Sequence, residues 1–315
     1  MEGSRGPTRR ESANRHVGGW SGSSAARAMP RRGWITRRQG RPKRDNGSVD
    51  ISLDPGPIAY VVVAEVLYVR AVHILRVRGY LVPKGQQVAW HTAIALIVVG
   101  LISPLDALGE KLLVAHMGQH LLIADLAAPL LLVGVRSPVY AFMLPRPVLV
   151  PLARCRPLRR AFRFLRQPLV AVPVWVLILY GWHFSFMFDA ALESDWVHAL
   201  QHISFVAGSL LVWWSVIEPK RRRLPGELWK VPYVLGARLA GMFLGMAFVI
   251  MRSPAYEQYV ESAPEHGLSP LTDQQIAGGM MLGLDLLVML FATGFFFYRS
   301  GQDHDRAQRP TAAVG

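Results

Sequence analysis

The hydrophobic residues of this 315-residue chain are gathered into long runs separated by shorter polar stretches. None of these runs alternates hydrophobic and polar residues with the period of two that is typical of membrane β-barrels. A helix of about 20 apolar residues, rising 1.5 Å per residue, is long enough to cross a bilayer. The predicted spans are 58–75, 86–102, 112–133, 168–187, 196–217, 231–250 and 274–298. The pattern therefore predicts an all-α fold, a polytopic integral membrane bundle of about seven transmembrane helices.

Composition supports the same fold class and divides the chain into three parts. Hydrophobic residues make up 51% of the chain and charged residues 18%, whereas a soluble domain has about 25% charged residues. Residues 1–44 contain 12 Lys and Arg against two acidic residues, which accounts for +10 of the total charge of +14. We predict a basic, disordered N-terminal tail over 1–54, a membrane domain over 55–298 and a short cytoplasmic tail over 299–315. The tail has only two aromatic residues, Trp20 and Trp34, and no predicted fold, so we do not expect nucleic acid as a partner. The partner that we expect for the chain is the lipid bilayer.

The basic residues of the connections predict the orientation in the membrane. The connections 76–84, 134–167 and 218–230, together with the segment after 298, contain 19 Lys and Arg. The alternate connections, 103–111, 188–195 and 251–273, contain two, alongside nine acidic residues. Because basic loops stay on the cytoplasmic side, we expect a cytoplasmic C-terminus. With seven spans, the segment before residue 58 would lie outside.

Five histidines fall within three of the predicted spans. His116 and His120 begin the third span, His183 lies with Trp182 near the end of the fourth, and His198 and His202 begin the fifth. Residues four apart share one face of a helix, so the first two and the last two histidines each form a stripe. In the predicted orientation all five lie in the outer half of the membrane.

Ionisable side chains inside a bilayer are costly and mark functional sites, so this set predicts a metal or cofactor site. Imidazole and thioether ligands together suit copper, and Cu(I) in particular, with Met117 or Met280 as a soft ligand. Met117 is the weaker candidate because it points about 100° away from His116 around the helix. Haem b held between paired histidines is the main alternative, and a proton relay is the third.

The remaining sequence features limit the other classes of function. The single cysteine, Cys155, excludes an internal disulfide and an all-thiolate metal site. No hydrolase, metalloprotease, nucleotide-binding or dinucleotide-binding motif occurs in a suitable context, so we do not expect an enzyme. Asp125 on the third span and Arg238 on the sixth lie at a similar depth. Because pairing offsets part of the cost of burying charges, we predict that they are neighbours.

Several stretches of the sequence are specific enough to compare with a known family. In the first half they are Ser103-Pro104-Leu105-Asp106, His116-Met117-Gly118-Gln119-His120-Leu121-Leu122 and Ala128-Pro129-Leu130-Leu131-Leu132-Val133-Gly134. In the second half they are Trp182-His183, Val197-His198, Trp213-Trp214-Ser215-Val216-Ile217-Glu218-Pro219, Asp273-Gln274-Gln275 and Gly279-Met280-Met281. Together they resemble the CtaG-like family of cytochrome c oxidase assembly factors, from about residue 55 to 298. One departure is Leu282, where the family pattern usually has Trp.

The resemblance implies a seven-span protein of the bacterial plasma membrane that is needed to build a caa-type haem-copper oxidase. It implies copper delivery to that oxidase and contacts with cytochrome c oxidase subunits. From the residues alone, two alternatives stay open: a membrane oxidoreductase that binds b-type haem through the same histidines, and a copper transporter.

Overall fold

The computed structural model describes residues 55–217 and 228–308. In these two ranges all regular secondary structure is helical, so the predicted all-α fold is confirmed. The predicted disordered tail over 1–54 and the last residues of the predicted C-terminal tail, 309–315, lie outside the described residues.

Helices occupy all seven predicted segments. The first half of the chain contains α1 (Pro55–Val77), α2 (Lys84–Leu101), α3 (Pro104–Gly109), α4 (Leu113–His120), a π-helix (Leu121–Ala127), α5 (Ala128–Gly134), α6 (Arg146–Arg154) and α7 (Arg156–Leu165). The second half contains α8 (Pro168–His183), α9 (Ser185–Glu193), α10 (Asp195–Ile217), α11 (Lys230–Ile250), α12 (Gln258–Ser262) and α13 (Pro270–Gln308). The third predicted span is thus one continuous helix built from α4, the π-helix and α5.

The number of helices that can cross a membrane is smaller than the number of predicted segments. Five helices in the described ranges are long and apolar enough, and the bent pair α7 and α8 raises the number to six if it counts as one span. α2, over the second predicted segment, is not among them. The apolar helices make this a multi-pass membrane protein, whereas the number of seven spans stays a prediction.

Three boundaries differ from those predicted. The fourth predicted segment, 168–187, ends as a helix at His183 because Phe184 is extended, with φ −67° and ψ 133°. The hydroxyl of Tyr256 donates to the His183 carbonyl at 3.0 Å, so a distant residue replaces the helical hydrogen bond that is lost there. The connection 134–167 contains α6 and α7, and α7 meets α8 at 82°. The last helix continues past residue 298 to Gln308.

The third span lies at the centre of the bundle. Of the most apolar 18-residue stretch of this span, 61% is buried, against 17% of the corresponding stretches of the first and last spans. It packs against α2 and α10, and its α4 part also packs against α13. Side chains on this span are therefore surrounded by protein and not by lipid.

α11 and α13 form the most extensive helix pair, and small residues let their backbones approach. A Cβ on Gly278 would lie 2.5 Å from the Gly245 carbonyl oxygen and 2.8 Å from Cβ of Phe248. Close backbone approach at small residues is a common way for membrane helices to associate.

We expect Gly278→Ala to lower the free energy of unfolding by about 1–3 kcal/mol, because the added methyl group forces the two helices apart. Gly279→Ala is the matched control, since a Cβ there meets no atom within 4 Å. It should be neutral or slightly stabilising, because Ala favours helix over Gly. Thermal unfolding of both variants in the same detergent measures the difference, and equal melting temperatures would contradict the proposed role of Gly278.

Candidate functional site

Four of the five predicted histidines form a closed ring of contacts between α4 and α10. His116 and His120 are 4.5 Å apart between ring centroids, and His198 and His202 are 4.3 Å apart. Across the two helices, His116 is 5.3 Å from His198, and His120 is 5.0 Å from His202. The two predicted stripes therefore face each other in the bundle interior.

His183 reaches the same region from the end of α8. Its ring lies 6.1 Å from the ring of Phe205, which is 4.6 Å from His120. A cavity of about 30 Å³ is lined by both His120 and His183. Nδ1 of His183 lies 2.6 Å from the Leu179 carbonyl oxygen, so this nitrogen carries the proton and donates it. The lone pair of His183 is then left on Nε2, which is buried.

The ring nitrogens of this histidine cluster, defined as His116, His120, His183, His198 and His202, are largely without partners. Both ring nitrogens of the first two, and Nε2 of the other three, are buried and form no well-aligned hydrogen bond to a described residue, although His116 lies close enough to the Gly109 backbone and the Gln201 side chain to interact with them. Leaving a buried polar group unpaired costs about 1–3 kcal/mol, and such groups in native proteins call for an explanation. Here the rings that carry these atoms lie together in the bundle interior, so the cluster is a candidate binding site.

The cluster fits copper by the chemistry of its donors. Neutral imidazole nitrogens are copper ligands, and each of the five rings can offer one, because the other nitrogen of a neutral ring carries a proton. Among the described residues, however, no three His, Cys, Asp or Glu side chains are arranged so as to hold an ion. Nitrogen ligands must come to about 2 Å from a metal, so the rings would have to rotate to coordinate one. The structure thus brings together imidazoles of the kind that copper binds, but their nitrogens are not positioned to coordinate an ion.

The methionines near the cluster occupy different positions. Met117 is 2% exposed and lines the cavity together with His120 and His183. Met280 is half-buried, and its terminal methyl lies 3.9 Å from where a Cβ of Gly118 would be. Its neighbour Met281 lines the cavity instead. The thioethers that face the cavity therefore come from Met117, the weaker candidate in the sequence, and from Met281.

The helix that carries the first histidine pair is held at its N-terminus by α13. The buried carboxylate of Asp273 accepts hydrogen bonds from the backbone N–H groups of Leu113 and Val114, at 2.7 and 2.9 Å. These N–H groups have no partner within α4, and a negative charge at this end is also favoured by the helix dipole. Asp273 therefore fixes the position from which His116 and His120 project.

We expect Asp273→Asn to destabilise the protein by about 1 kcal/mol, because an amide can replace only one of the two acceptor bonds and removes the charge. Hydrogen exchange of the Leu113 and Val114 amides should become faster in this variant. Glu265→Gln, an exposed change in the turn that precedes α13, is the control and should leave that exchange unchanged. Unaltered protection in Asp273→Asn would show that the carboxylate does not hold α4.

Arg238, Asp125 and Asp285 form a buried ion triad beside the cavity that His120 and His183 line. Arg238 is 2% exposed, and its Nη1 contacts the carboxylates of both Asp125 and Asp285, the latter at 3.1 Å. The predicted pairing of Asp125 with Arg238 is confirmed. Asp285 is a third member that sequence reasoning missed, although an acidic residue inside the last span was a visible signal.

The π-helix brings Asp125 to this triad. Pro129 has no N–H to donate to the preceding turn. The hydroxyl of Ser209 on α10 donates instead to the Ala124 carbonyl, at 2.5 Å. A π-helical segment of this kind is frequent at functional sites.

A comparison with protein families agrees with this arrangement. The family model described as cytochrome c oxidase caa3 assembly factor matches residues 66–302, which is most of the chain. The chain belongs to this family. Among curated proteins, it is similar to uncharacterized proteins of Mycobacterium bovis and Mycobacterium tuberculosis, each 29% identical over 266 residues. These matches cover 79% of this chain but 39% of each relative, so the chain spans well under half the length of the relatives it matches. No solved structure matches the chain.

In this member of the caa3 assembly factor family, the motif Asp273-Gln274-Gln275 ties the last span to the rest of the bundle. Besides the contact of Asp273 with α4, the side-chain oxygen of Gln274 accepts from the Ala255 N–H at 2.7 Å. The Gln275 amide donates to the Val249 carbonyl at the end of α11, at 3.2 Å. All three side chains of the motif thus hold backbone near the outer end of the predicted topology, where the histidine cluster lies.

Acidic side chains gather on the segments next to the cluster. Asp189 in α9 is half-buried, and its pKa is raised, first by this burial and then by repulsion from Glu193 and Glu257. The same negative charges attract cations to this end of the protein.

Proposed function

We propose that this chain assists the assembly of a caa3-type cytochrome c oxidase in the bacterial plasma membrane by holding copper at the histidine cluster. Membership of the caa3 assembly factor family supports the oxidase as the partner. The observation that carries the copper assignment is the packing together of buried imidazole rings whose nitrogens have no hydrogen-bond partner among the described residues. Its role is binding and delivery, and not catalysis of a reaction.

The charge distribution supports delivery from the outer face. With the C-terminus in the cytoplasm, as the basic connections indicate, the cluster and the acidic segments around Asp189 both lie on the outer side. Cations approaching from that side would be attracted by the acidic residues before they reach the imidazoles. A copper centre of an oxidase that is reached from the outer face is the expected recipient.

The size of the cavity favours copper over haem. The space beside His120 and His183 is about 30 Å³, whereas pockets for organic cofactors are about 300–1,000 Å³. A Cu(I) ion needs little more than the space that the rotating imidazoles provide. Haem b would require the helices α4, α8 and α10 to separate.

Metal analysis and visible absorption of the purified full-length protein test this assignment together. After loading with Cu(I) and removal of the excess, we expect about one copper per chain and no Soret band. A Soret band at stoichiometric haem content would overturn the proposal in favour of the oxidoreductase. Copper uptake into vesicles that contain only this protein would instead favour a transporter, and a protein that retains no copper would contradict copper binding.

A further inference from the structure

Two small cavities adjoin between the histidine cluster and the ion triad. The first, of about 30 Å³, is lined by His120 and His183, and the second, of about 20 Å³, by Arg238 and Asp285. They share five lining residues, namely Leu121, Asp125, Trp175, Leu179 and Met281. The histidines and the triad are therefore the two ends of one internal space.

This space has the size and the polar partners that buried water needs. A cavity holds a water molecule once it offers about 10–15 Å³ to the centre of that molecule, together with two to four polar partners. Nε and Nη2 of Arg238 are buried and donate to no described residue, and at the other end Nε2 of His183 is also unpaired. One or two waters in each cavity would satisfy these groups.

The charges of the triad do not balance. One guanidinium faces two carboxylates, both of which contact the same nitrogen, Nη1 of Arg238. The rings of Trp175 and Trp213 lie 5.8 and 6.0 Å from the guanidinium carbon and separate it from bulk water. If both carboxylates were ionised, a net negative charge would be buried without compensation, which is costly. Two carboxylates that share one site commonly keep one proton between them.

We propose that the ion triad is a proton-binding site in which Asp125 and Asp285 share one exchangeable proton, connected by cavity water to the histidine cluster. On release, an O–H bond of the carboxylic acid breaks and the triad passes from neutral to a charge of −1. The proton forms a new O–H bond with a cavity water molecule and leaves the interior as hydronium, so that the buried charge falls by one. His120 of α4 and His183 of α8 are titratable groups that line the cavity next to the triad. Trp175 of α8 and Trp213 of α10 lie beside the guanidinium, and Leu179 of α8 lines both cavities.

This site goes beyond the proposed function and does not depend on copper. It would give the protein a means of keeping the total charge of its interior constant when a cation enters the outer half of the bundle. Failure of the copper measurements would leave the proton site intact, because its test uses the metal-free protein.

The test is infrared spectroscopy of the metal-free, full-length protein in lipid bilayers at neutral pH, with isotope-labelled aspartate to identify the bands. We expect the C=O band of one protonated carboxylic acid. Asp285→Asn and Asp125→Asn should each abolish it, because a single carboxylate beside Arg238 is already neutralised and needs no proton. Asp195→Asn, an exposed change at the start of α10, is the control and should retain the band.

Exchange of the band in D₂O tests the connection to the cluster. In the unsubstituted protein the band should shift rapidly, since cavity water carries the deuteron to the triad. Leu179→Phe, at a residue shared by both cavities, should keep the band and slow its shift by filling the water space. Absence of a protonated band in the unsubstituted protein, or its persistence in both single variants, would overturn the proton site. A shift of equal rate in Leu179→Phe would overturn the water connection.

Discussion

The double variant His116→Ala/His120→Ala should retain no copper, and host membranes that contain it should lose caa3-type oxidase activity. The substitution removes two of the five imidazoles of the cluster and opens one side of the ring of contacts. Losing even an outer partner of a metal site costs about 10–100-fold in affinity, so the loss of two ligands should reduce retention below detection. The measurements are copper content per chain after purification and oxidase activity in a strain that lacks the native protein.

The variant should still insert and fold, since α4 is held by the Asp273 carboxylate at its N-terminus and by packing against α13, neither of which involves the two imidazoles. A control that removes the same number of histidines is His73→Ala/His266→Ala, at two exposed positions outside the cluster. The control should keep its copper and its support of the oxidase. If the cluster variant retained copper stoichiometrically and supported full oxidase assembly, the histidines would be structural and the copper site would lie elsewhere.

The second large effect concerns stability. Arg238→Leu leaves two carboxylates buried without their cation, and breaking a buried pair in this way costs about 3–5 kcal/mol. We expect this variant to be mostly lost from the membrane or to aggregate on extraction. Thermal unfolding in detergent and the amount of protein in the membrane fraction provide the measurement.

Removing the whole triad should cost less than removing its cation. In Arg238→Leu/Asp125→Asn/Asp285→Asn no buried charge is left, so we expect the triple variant to be more stable than the single one. Arg70→Leu is the matched control on α1, where the guanidinium donates to the Phe142 carbonyl at 3.2 Å. Loss of that bond should cost about 1 kcal/mol. A triple variant less stable than Arg238→Leu would contradict the charge argument.

The parts of the site that the sequence predicted follow from helix geometry alone. His116 with His120, and His198 with His202, are four residues apart, so each pair must share a face wherever its helix lies. Their shared depth followed from the orientation of the spans. The contact of Asp125 with Arg238 was predictable for a related reason, because two opposite charges at one depth have few other partners inside a bilayer.

What the sequence did not predict depends on which helices are neighbours and which face each turns inward. Asp285 joins the triad only because α11 and α13 pack closely, and a Cβ on Gly241 would collide with its carboxylate. Met281, and not Met280, lines the cavity, a difference of one residue that corresponds to about 100° around a helix. The end of α8 at His183 was likewise invisible, since its carbonyl is satisfied by Tyr256, more than 70 residues away in the chain.

The π-helix over Leu121–Ala127 makes the length of the third span part of the site. In an α-helix, Asp125 would lie about 140° around the axis from His120. In a π-helix the wider turn brings residues five apart to a similar side of the axis, and the side chains of His120 and Asp125 line the same cavity. Deleting a single residue from this segment would let it relax to an α-helix and turn the acid away from the histidines. A one-residue deletion here should therefore separate the histidine cluster from the ion triad, even if every side chain named above is kept. Insertions and deletions should be better tolerated in the loops than in this π-helical turn.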